Sequence, residues 1–404
     1  MSGMLIVGAG LAGLTVAESL RSDGYDGPIT LVGAEPHAPY QRPPLSKAFL
    51  LGEAKEAQLA MRPAELYAKK GIELRLDTEA KAVDRAARLV RLADGSTLGY
   101  KGLALCTGAR LRPLPLAGAQ WQGVFGLRTL DDARTLAGAL NAARSVVVLG
   151  GGFIGLEVAA VAARKGKNVV VLEAMERLMA RVVAPPVSEF YRDLHAGHGV
   201  DVMLGAAVSE LVGSDNRIAA VRTRDGREYA ADLLLVGIGV LPNAELAAAA
   251  GLEVEGGIVV DACSRTSDPA IVAAGDCAAR RLPEGGLRRL ESVQNALEQS
   301  KSAAAALLGR ERPFDATPWF WSEQYDVKLQ MAGLTAGYEQ TVTRGNPAAR
   351  SFSVYYYRGG QLVAVDSLNQ PGDHMTARKL LDRKLSPTPQ QAADPATDLA
   401  ALLA

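Results

Sequence analysis

The chain has 404 residues, of which 48% are hydrophobic and only 5% aromatic, and it contains 42 glycines. This length allows two or three domains, and the composition is typical of α/β layers joined by tight turns. Lysine and arginine together number 44, as do aspartate and glutamate. The chain therefore lacks the basic excess with which nucleic-acid-binding proteins contact phosphates.

The sequence also gives no sign of a membrane or secretory segment. No apolar run reaches the roughly 18 residues that a membrane span needs, and the chain enters a predicted strand at Met4 without a basic leader. The cysteines Cys106, Cys263 and Cys277 form no C-x-x-C pair, so a disulfide framework, a zinc site and a chain-borne iron–sulfur cluster are unsupported. These features predict a cytoplasmic protein.

Residues 4–35 predict a strand–helix–strand unit around a G-x-G-x-x-G turn. The turn runs from Gly8 to Gly13 and includes Gly10, and we expect a helix at 11–22 and a second strand at 29–32. The first glycine of this motif permits a tight turn, the second lets the backbone approach a pyrophosphate, and the third allows close helix–strand packing. The pyrophosphate rests on the helix N-terminus, and an acid after the second strand, here Glu35, accepts from the ribose.

The next hundred residues are expected to complete this first region. The proline-rich segment 36–51 is predicted to be irregular, and a helical stretch at 63–70 precedes short strands between residues 72 and 106. Residues 110–115 are predicted to form a linker.

A second unit of the same kind lies at residues 146–173. The strand at 146–149 runs into the motif Gly150-Gly151-Gly152-Phe153-Ile154-Gly155, and a second strand at 168–172 ends at Glu173. One such motif can be an ordinary glycine-rich turn. Two motifs, each with its acid, predict that two dinucleotides bind at once and that electrons pass between them.

The remainder of the chain predicts further strands, one long helix and a change of composition. Residues 200–236 are strand-rich, a short strand at 271–274 ends in Gly275-Asp276, and a helix is expected at 292–308. From Pro318 aromatic residues concentrate in alternating strands, and the Pro/Ala-rich tail from Ser386 is expected to be loosely ordered.

Five motifs resemble those of the two-dinucleotide-binding-domain flavoproteins of the disulfide-reductase superfamily. Within it, the chain is similar to the NADH-dependent ferredoxin reductases of oxygenase systems, of the putidaredoxin reductase type. The motifs, in family order, are residues 42–47 (RPPLSK), 152–157 (GFIGLE), 275–277 (GDC), 291–296 (ESVQNA) and 320–325 (FWSEQY).

The resemblance implies an α/β fold with two Rossmann-like dinucleotide-binding domains, as in glutathione reductase, and a C-terminal α+β domain. The FAD-binding domain is expected at residues 1–109 and 239–317, the NADH-binding domain at 110–238 and the C-terminal domain at 318–404.

The same resemblance implies roles for individual residues. Lys47 is expected near flavin N5, Glu157 near the nicotinamide and Trp321 on the acceptor side of the flavin, and we expect Lys47 and Glu157 to form an ion pair. The residues implied to bind FAD are Gly8, Gly10, Ala12, Gly13, Glu35, Arg42, Lys47, Ala80, Arg128, Asp276 and Val293. Those implied to bind NADH are Gly150, Gly152, Ile154, Gly155, Glu173 and Arg181.

Two acidic positions bear on the ribose contacts. Several relatives carry the FAD-ribose acid directly after Val-Gly, where this chain has Ala34 followed by Glu35. A carboxylate at Glu173 accepts from both ribose hydroxyls and repels a 2′-phosphate, which favours NADH over NADPH. The nearby Arg177 and Arg181 work against this preference, because arginine can bind a 2′-phosphate.

The cysteine pattern indicates where the electrons leave. Disulfide reductases of the superfamily carry a C-x-x-x-x-C pair, and its NADH peroxidases and oxidases carry one redox cysteine near the position of Pro43 and Pro44; this chain has neither. The resemblance therefore implies electron transfer to a two-iron two-sulfur ferredoxin that serves a cytochrome-type or ring-hydroxylating oxygenase. We expect a monomer and a transient, electrostatic complex. Candidate docking cations are Arg62, Arg288, Arg289, Lys301 and Lys328.

Other functions fit the same fold. A rubredoxin reductase or a flavoprotein NADH oxidase would use the same cofactors with a different acceptor. A flavoprotein sensor that holds a long-lived NADH complex is a non-enzymatic alternative, and the motif around Trp321 argues against it.

Overall fold

The computed structural model describes residues 2–282 and 285–404, and the chain divides into two compact units. Unit 1 comprises Met1–Gln41, Glu56–Arg110 and Val240–Ala316, and unit 2 comprises Arg42–Lys55, Leu111–Gly239 and Thr317–Ala404. The mixed α/β fold class predicted from the sequence is confirmed.

Unit 1 is built on a mainly parallel sheet. Its parallel strands lie in the order Ile72–Arg75, Ile29–Val32, Gly3–Val7, Thr97–Leu105 and Ile271–Ala273. The antiparallel strands Leu89–Leu92 and Ala80–Asp84 extend it. Because the strand order reverses beside Gly3–Val7, the crevice for a ligand is expected at the carboxyl end of this strand, where the first glycine motif begins.

Two helices cover one face of this sheet. Leu11–Ser22 presents buried Leu14, Ala17 and Leu20 at helical spacing, and Val293–Leu307 adds buried Ala303 and Ala304 to the same core. The smaller helices are Glu56–Leu59, which is 3₁₀, Ala64–Lys69 and Glu245–Ala249. The remaining strands are Ile258–Val260, Ala278–Arg281 and Leu287–Arg288, which form a second sheet, and Val240–Pro242 and Ala109–Leu111.

Unit 2 repeats the parallel arrangement. Its five-stranded parallel sheet has the order Val200–Met203, Asn168–Leu172, Ser145–Leu149, Leu233–Val236 and Val124–Phe125. The helices are Leu130–Ala142, Phe153–Arg164 and Pro185–Gly197, together with the short Pro43–Ser46 (3₁₀) and Ala48–Leu51. An antiparallel sheet of Val208–Ser214, Arg217–Thr223 and Glu228–Ala230 completes this part.

The C-terminal part of unit 2 is a five-stranded antiparallel sheet with helices. The strand order is Trp319–Gln324, Val327–Gly333, Gln361–Leu368, Ser351–Arg358 and Gln340–Asn346. The helices are Pro347–Ala349 (3₁₀), Pro371–Asp382, Pro389–Ala393 and Leu399–Leu403 (3₁₀).

Most predicted elements agree with the structure, and three expectations were wrong. The proline-rich segment contains the helices Pro43–Ser46 and Ala48–Leu51, and the first of them begins with prolines, which are well suited to the first turn of a helix. The predicted linker begins within the strand Ala109–Leu111. The tail is ordered, since Ala392 and Leu399 are buried in the C-terminal core.

The side chain of Arg344 contributes to this order by binding the tail's backbone. Its guanidinium donates to the carbonyl oxygens of Ala392, Asp394, Pro395 and Thr397.

The predicted domain boundaries stay predictions. Residues 42–55 belong to unit 2, although the prediction placed them in the FAD-binding domain. In the described part of the chain, no helix combines the length and the apolar character that crossing a bilayer requires.

The close packing of the second glycine motif predicts a measurable asymmetry between two glycines. A Cβ at Gly155 would lie 2.2 Å from the carbonyl oxygen of Gly150, whereas at the helical Gly138 it would meet nothing within 4 Å. We expect Gly155→Ala to lower the free energy of unfolding by about 2 kcal/mol and Gly138→Ala to raise it by roughly 0.5–1 kcal/mol. Urea denaturation measures both, and equal effects would contradict the packing argument.

A buried carboxyl in the C-terminal sheet predicts a pH effect on stability. Asp366 accepts a hydrogen bond from Tyr356, its Oδ1 has no partner within the described chain, and burial raises its pKa to about 7. The folded state therefore binds the proton more tightly than the unfolded state, so the free energy of unfolding falls as pH rises from 3.8 to about 7. Asp366→Asn keeps an acceptor for Tyr356 and should flatten this fall, whereas Asp201→Asn at an exposed site should not. Urea midpoints across that pH range provide the measurement.

Candidate functional site

The first glycine motif has the three features that a dinucleotide loop needs. Gly8 has a φ of +113°, and a Cβ on it would lie 2.0 Å from the Cys106 carbonyl oxygen; at Gly13 a Cβ would lie 2.0 Å from the Gly8 oxygen. A Cβ on Gly10 meets nothing within 4 Å. Gly10 is the N-cap of the Leu11–Ser22 helix, and no side chain caps it. The loop thus offers open space and unsatisfied N–H groups where a pyrophosphate would lie.

The second glycine motif has the same construction in unit 2. Gly150 has a φ of +106° and faces the Gly237 carbonyl oxygen, 2.5 Å from an added Cβ. Gly152 caps the Phe153–Arg164 helix, again without a side-chain hydrogen bond, and a Cβ there meets nothing within 4 Å. Both loops therefore fit a dinucleotide pyrophosphate by the same test.

The acid of the second unit is held by its own loop. Glu173 accepts from the backbone N–H of Gly151 through Oε2 and from that of Met175 through Oε1, each at 2.7 Å. Arg177 donates to the carbonyl oxygens of Ala180 and Val183 and to Ser188. This arginine is therefore engaged by its own loop and by the helix that follows it, while Arg181 is exposed.

The residues predicted for FAD in unit 1 lie on its loops and element ends. Glu35 accepts a 2.5 Å hydrogen bond from Tyr40, and Ala12 lies 3.0 Å from a Cβ built on Gly275. Asp276 follows the strand Ile271–Ala273, Ala80 begins Ala80–Asp84, and Val293 begins the helix capped by Ser292.

A buried side chain beside Val293 supports a ligand at this helix end. Gln294 is buried, and its Oε1 has no hydrogen-bond partner within the described chain. Buried side-chain oxygens are rarely left unpaired. The flavin fits this observation, because its ring carries hydrogen-bonding groups.

The predicted ion pair in unit 2 is confirmed. Lys47 Nζ lies 2.8 Å from Glu157 Oε2, and Glu157 is only 2% exposed. Ser46 donates to the same oxygen at 2.5 Å, and Ser322 donates to Oε1 at 2.6 Å. Because a buried carboxylate needs compensation, three donors from two distant segments hold Glu157 in place.

The hydrogen bonds continue beyond Ser322 into the protein. Gln324 Nε2 donates to Ser322 Oγ at 3.3 Å, and Gln324 Oε1 lies 2.8 Å from His195 Nε2. The hydroxyl of Tyr325 lies 3.1 Å from His195 Nδ1. Sequence reasoning missed Ser46, Ser322, Gln324 and His195 as site residues. Ser46, Ser322 and Gln324 lie in the motifs of residues 42–47 and 320–325, but no sequence signal links His195 to them.

Trp321 lies on the other face of its strand from Ser322. Its ring lies 5.7 Å from that of Trp319, and a cavity of about 220 Å³ is lined by Trp319, Trp321, Lys328 and Gln330.

Two other predicted residues of unit 2 lie together, since Arg42 donates to the carbonyl oxygen of Arg128 at 2.7 Å. Ile154, 45% exposed, lies in the first turn of its helix.

The predicted docking cations are largely neutralised by neighbours. The ion pairs are Arg62–Glu18, Arg289–Glu291, Lys301–Glu298 and Lys328–Glu323, and Arg288 also has a partner.

All three cysteines are free and buried, and burial raises the pKa of Cys106 and Cys277. No group of three potential metal ligands occurs in residues 2–282 and 285–404.

Comparisons with known proteins agree with this construction. Residues 3–300 match the pyridine nucleotide-disulphide oxidoreductase family, and residues 319–403 match the reductase C-terminal family. The chain is 48% identical over 397 residues to rhodocoxin reductase of Rhodococcus erythropolis, covering 98% of this chain and 93% of the relative.

Two solved structures are similar over the whole chain. The ferredoxin reductase for the CYP199A2 system from Rhodopseudomonas palustris has a TM-score of 0.97 at 45% identity and full coverage of both chains. A covalent putidaredoxin reductase–putidaredoxin complex has a TM-score of 0.96 at 42% identity, covering 100% of this chain and 98% of the other.

The burial of Glu157 predicts unequal effects of removing two lysines. We expect Lys47→Met to lower the free energy of unfolding by about 3 kcal/mol, because it leaves a buried carboxylate without its counter-charge. Lys328→Met removes an exposed partner of Glu323, 3.2 Å away, and should change stability by less than about 1 kcal/mol. Urea denaturation of the two variants measures the difference, and equal losses would show that the Lys47 pair is not the constraint described.

Proposed function

Because the chain belongs to the pyridine nucleotide-disulphide oxidoreductase family, we propose that it passes electrons from NADH through FAD to a two-iron two-sulfur ferredoxin that serves an oxygenase. FAD and a nicotinamide nucleotide are the cofactors of this oxidoreductase. The observation that supports the proposal best is the repeated loop geometry around Gly10 and Gly152, in a chain whose cysteines are all free and buried.

The nucleotide roles follow from this construction. The N-terminus of Leu11–Ser22, with Glu35 and Asp276, would hold FAD, and the N-terminus of Phe153–Arg164, with Glu173, would hold NADH. When bound, FAD supplies the redox chemistry, accepting electrons in pairs and passing them on singly. The protein supplies orientation and electrostatics.

Lys47 and Glu157 form the charged pair proposed to act at the reacting end. Glu157 is held at both oxygens, and its buried carboxylate fixes the ammonium group of Lys47. We propose that Lys47 presents positive charge to the flavin and that Glu157 orients it. Trp321 is proposed to lie on the acceptor side, where the cavity that it borders with Trp319 offers aromatic contacts.

The ferredoxin acceptor is supported by the relatives. Those reported above are named for rhodocoxin, putidaredoxin and a ferredoxin. The cluster type, the link to an oxygenase, a monomeric state and a cytoplasmic location are parts of the proposal. Size-exclusion chromatography with light scattering would test the monomer.

One experiment separates the proposed function from its alternatives. The purified flavoprotein is given NADH anaerobically with a two-iron ferredoxin, and in parallel with rubredoxin, while an aerobic sample receives neither. Fast ferredoxin reduction with slow oxygen consumption supports the proposal. Rapid rubredoxin reduction without ferredoxin activity would identify a rubredoxin reductase, and rapid oxygen consumption would identify an oxidase. Failure of all three acceptors would favour a sensor.

The contacts of Glu173 predict its role in nucleotide selectivity. Replacing it with arginine removes the ribose acceptor and introduces a cation that attracts a 2′-phosphate. We expect Glu173→Arg to reduce the ratio of kcat/KM for NADH over NADPH by about 100-fold, or roughly 3 kcal/mol.

The control for this change lies in the same loop. Glu176 is exposed, so Glu176→Arg makes the same change of charge and keeps the Glu173 carboxylate that accepts from Gly151 and Met175. The selectivity ratio should change by less than about threefold in this variant. An equal shift in both variants would mean that general charge, rather than the Glu173 position, sets the preference.

A further inference from the structure

A continuous chain of buried polar side chains runs from Glu157 to Tyr325. Ser322, Gln324 and His195 are each no more than 1% exposed. Each of their side chains is hydrogen-bonded to the side chain before it and to the side chain after it in this series. Only Tyr325, at the far end, is half-buried. Buried polar networks of this kind are costly unless every member is satisfied.

The hydrogen bonds can run in only one direction. An ionised carboxylate only accepts, so Ser322 must donate its single hydroxyl proton to Glu157. Ser322 Oγ is then left to accept, and the amide nitrogen of Gln324 donates to it. This orientation turns Gln324 Oε1 towards His195, so the Nε2 atom of His195 must carry a proton.

The same reasoning gives the direction of the last hydrogen bond, between His195 and Tyr325. A neutral imidazole with its proton on Nε2 has an acceptor at Nδ1, which takes the hydroxyl proton of Tyr325. Burial lowers the pKa of His195 to about 4, which agrees with a neutral ring. The groups that face this ring are Gln324, Tyr325 and His198, which stacks on Tyr325 at 3.7 Å. Every donor in the chain therefore points towards Glu157.

Alternation along one strand builds this arrangement. Phe320, Ser322 and Gln324 are two residues apart and share a face of Trp319–Gln324. On the helix Phe153–Arg164, Phe153 and Glu157 are four residues apart and share a face as well. The rings of Phe153 and Phe320 lie 4.8 Å apart, so the aromatic contact aligns the strand with the helix and places Ser322 opposite Glu157.

We propose that Ser322, Gln324 and His195 are positioning residues for the Lys47–Glu157 pair. They hold the Glu157 carboxylate in the orientation that faces Lys47, so the C-terminal sheet is part of the nicotinamide-side machinery as well as an acceptor platform. The kinetic consequence rests on the proposed function, whereas the direction of the hydrogen bonds does not.

The first test reads the proton position in His195 and needs neither NADH nor a ferredoxin. The chain has four histidines, so nitrogen-15 NMR of histidine-labelled protein can assign each ring with one substitution per residue. In the wild-type protein at pH 7, we expect His195 to carry its proton on Nε2. A wild-type His195 with the proton on Nδ1, or a charged ring, would overturn the proposal.

Substitution of the serine gives a specific change at the histidine. In Ser322→Ala the Gln324 amide loses its acceptor, and a buried N–H without a partner is rarer than a buried oxygen without one. We expect the amide to turn and donate to His195, which moves the imidazole proton to Nδ1. Ser353→Ala is the matched control, because Ser353 is a fully buried serine of the same sheet that takes no part in the hydrogen bonds between Glu157 and Tyr325. It should leave the tautomer unchanged.

The second test measures the effect on the reaction. In stopped-flow mixing with NADH, Ser322→Ala should reduce flavin about tenfold more slowly, with the Kd for NADH changed less than about twofold. Ser353→Ala should react at the wild-type rate. A wild-type rate in Ser322→Ala would overturn the positioning role. If the tautomer moves as expected but the wild-type protein fails to reduce any ferredoxin, the proposed function is wrong. The direction of the hydrogen bonds from Tyr325 to Glu157 is then still supported.

Discussion

A buried carboxylate is the constraint around which the second unit is organised. Glu157 is 2% exposed and receives donors from Ser46, Lys47 and Ser322. Removing a carboxylate from water costs several kcal/mol unless charge and hydrogen bonds compensate for it. The segment that carries Ser46 and Lys47 and the C-terminal strand that carries Ser322 therefore both compensate the buried carboxylate on the Phe153–Arg164 helix.

The two glycine loops solve one physical problem twice. In each loop a left-handed glycine, Gly8 or Gly150, lies against a backbone carbonyl, and the second glycine leaves space above an uncapped helix N-terminus. The repeat arises because a pyrophosphate makes the same demands whichever nucleotide carries it. The acids of the two units make different hydrogen bonds, since Glu173 accepts from a backbone N–H of its own glycine motif and Glu35 accepts from the Tyr40 hydroxyl.

One strand of the C-terminal sheet has different surroundings on its two faces. Trp319 and Trp321 border a cavity on one face, and Ser322 and Gln324 enter the buried polar chain on the other. Because successive side chains of a strand alternate, a change that shifts this strand by one residue would disturb both faces together. The position of the strand therefore couples the aromatic cavity on one face to the buried hydrogen bonds on the other.

The fold class, the two dinucleotide motifs, the acids after their second strands and the Lys47–Glu157 pair could all be predicted from the order of the amino acids. These features depend on local periodicity and on residue types at short spacing, or on motifs that the chain shares with relatives. The order of the tail, the hydrogen bonds of Arg177 and the ion pairs of the candidate docking cations became visible in the folded chain alone. The tertiary structure also joined His195 to Gln324, residues far apart in the chain. Such contacts depend on how a helix and a distant strand pack, which alternation and spacing within either element do not specify.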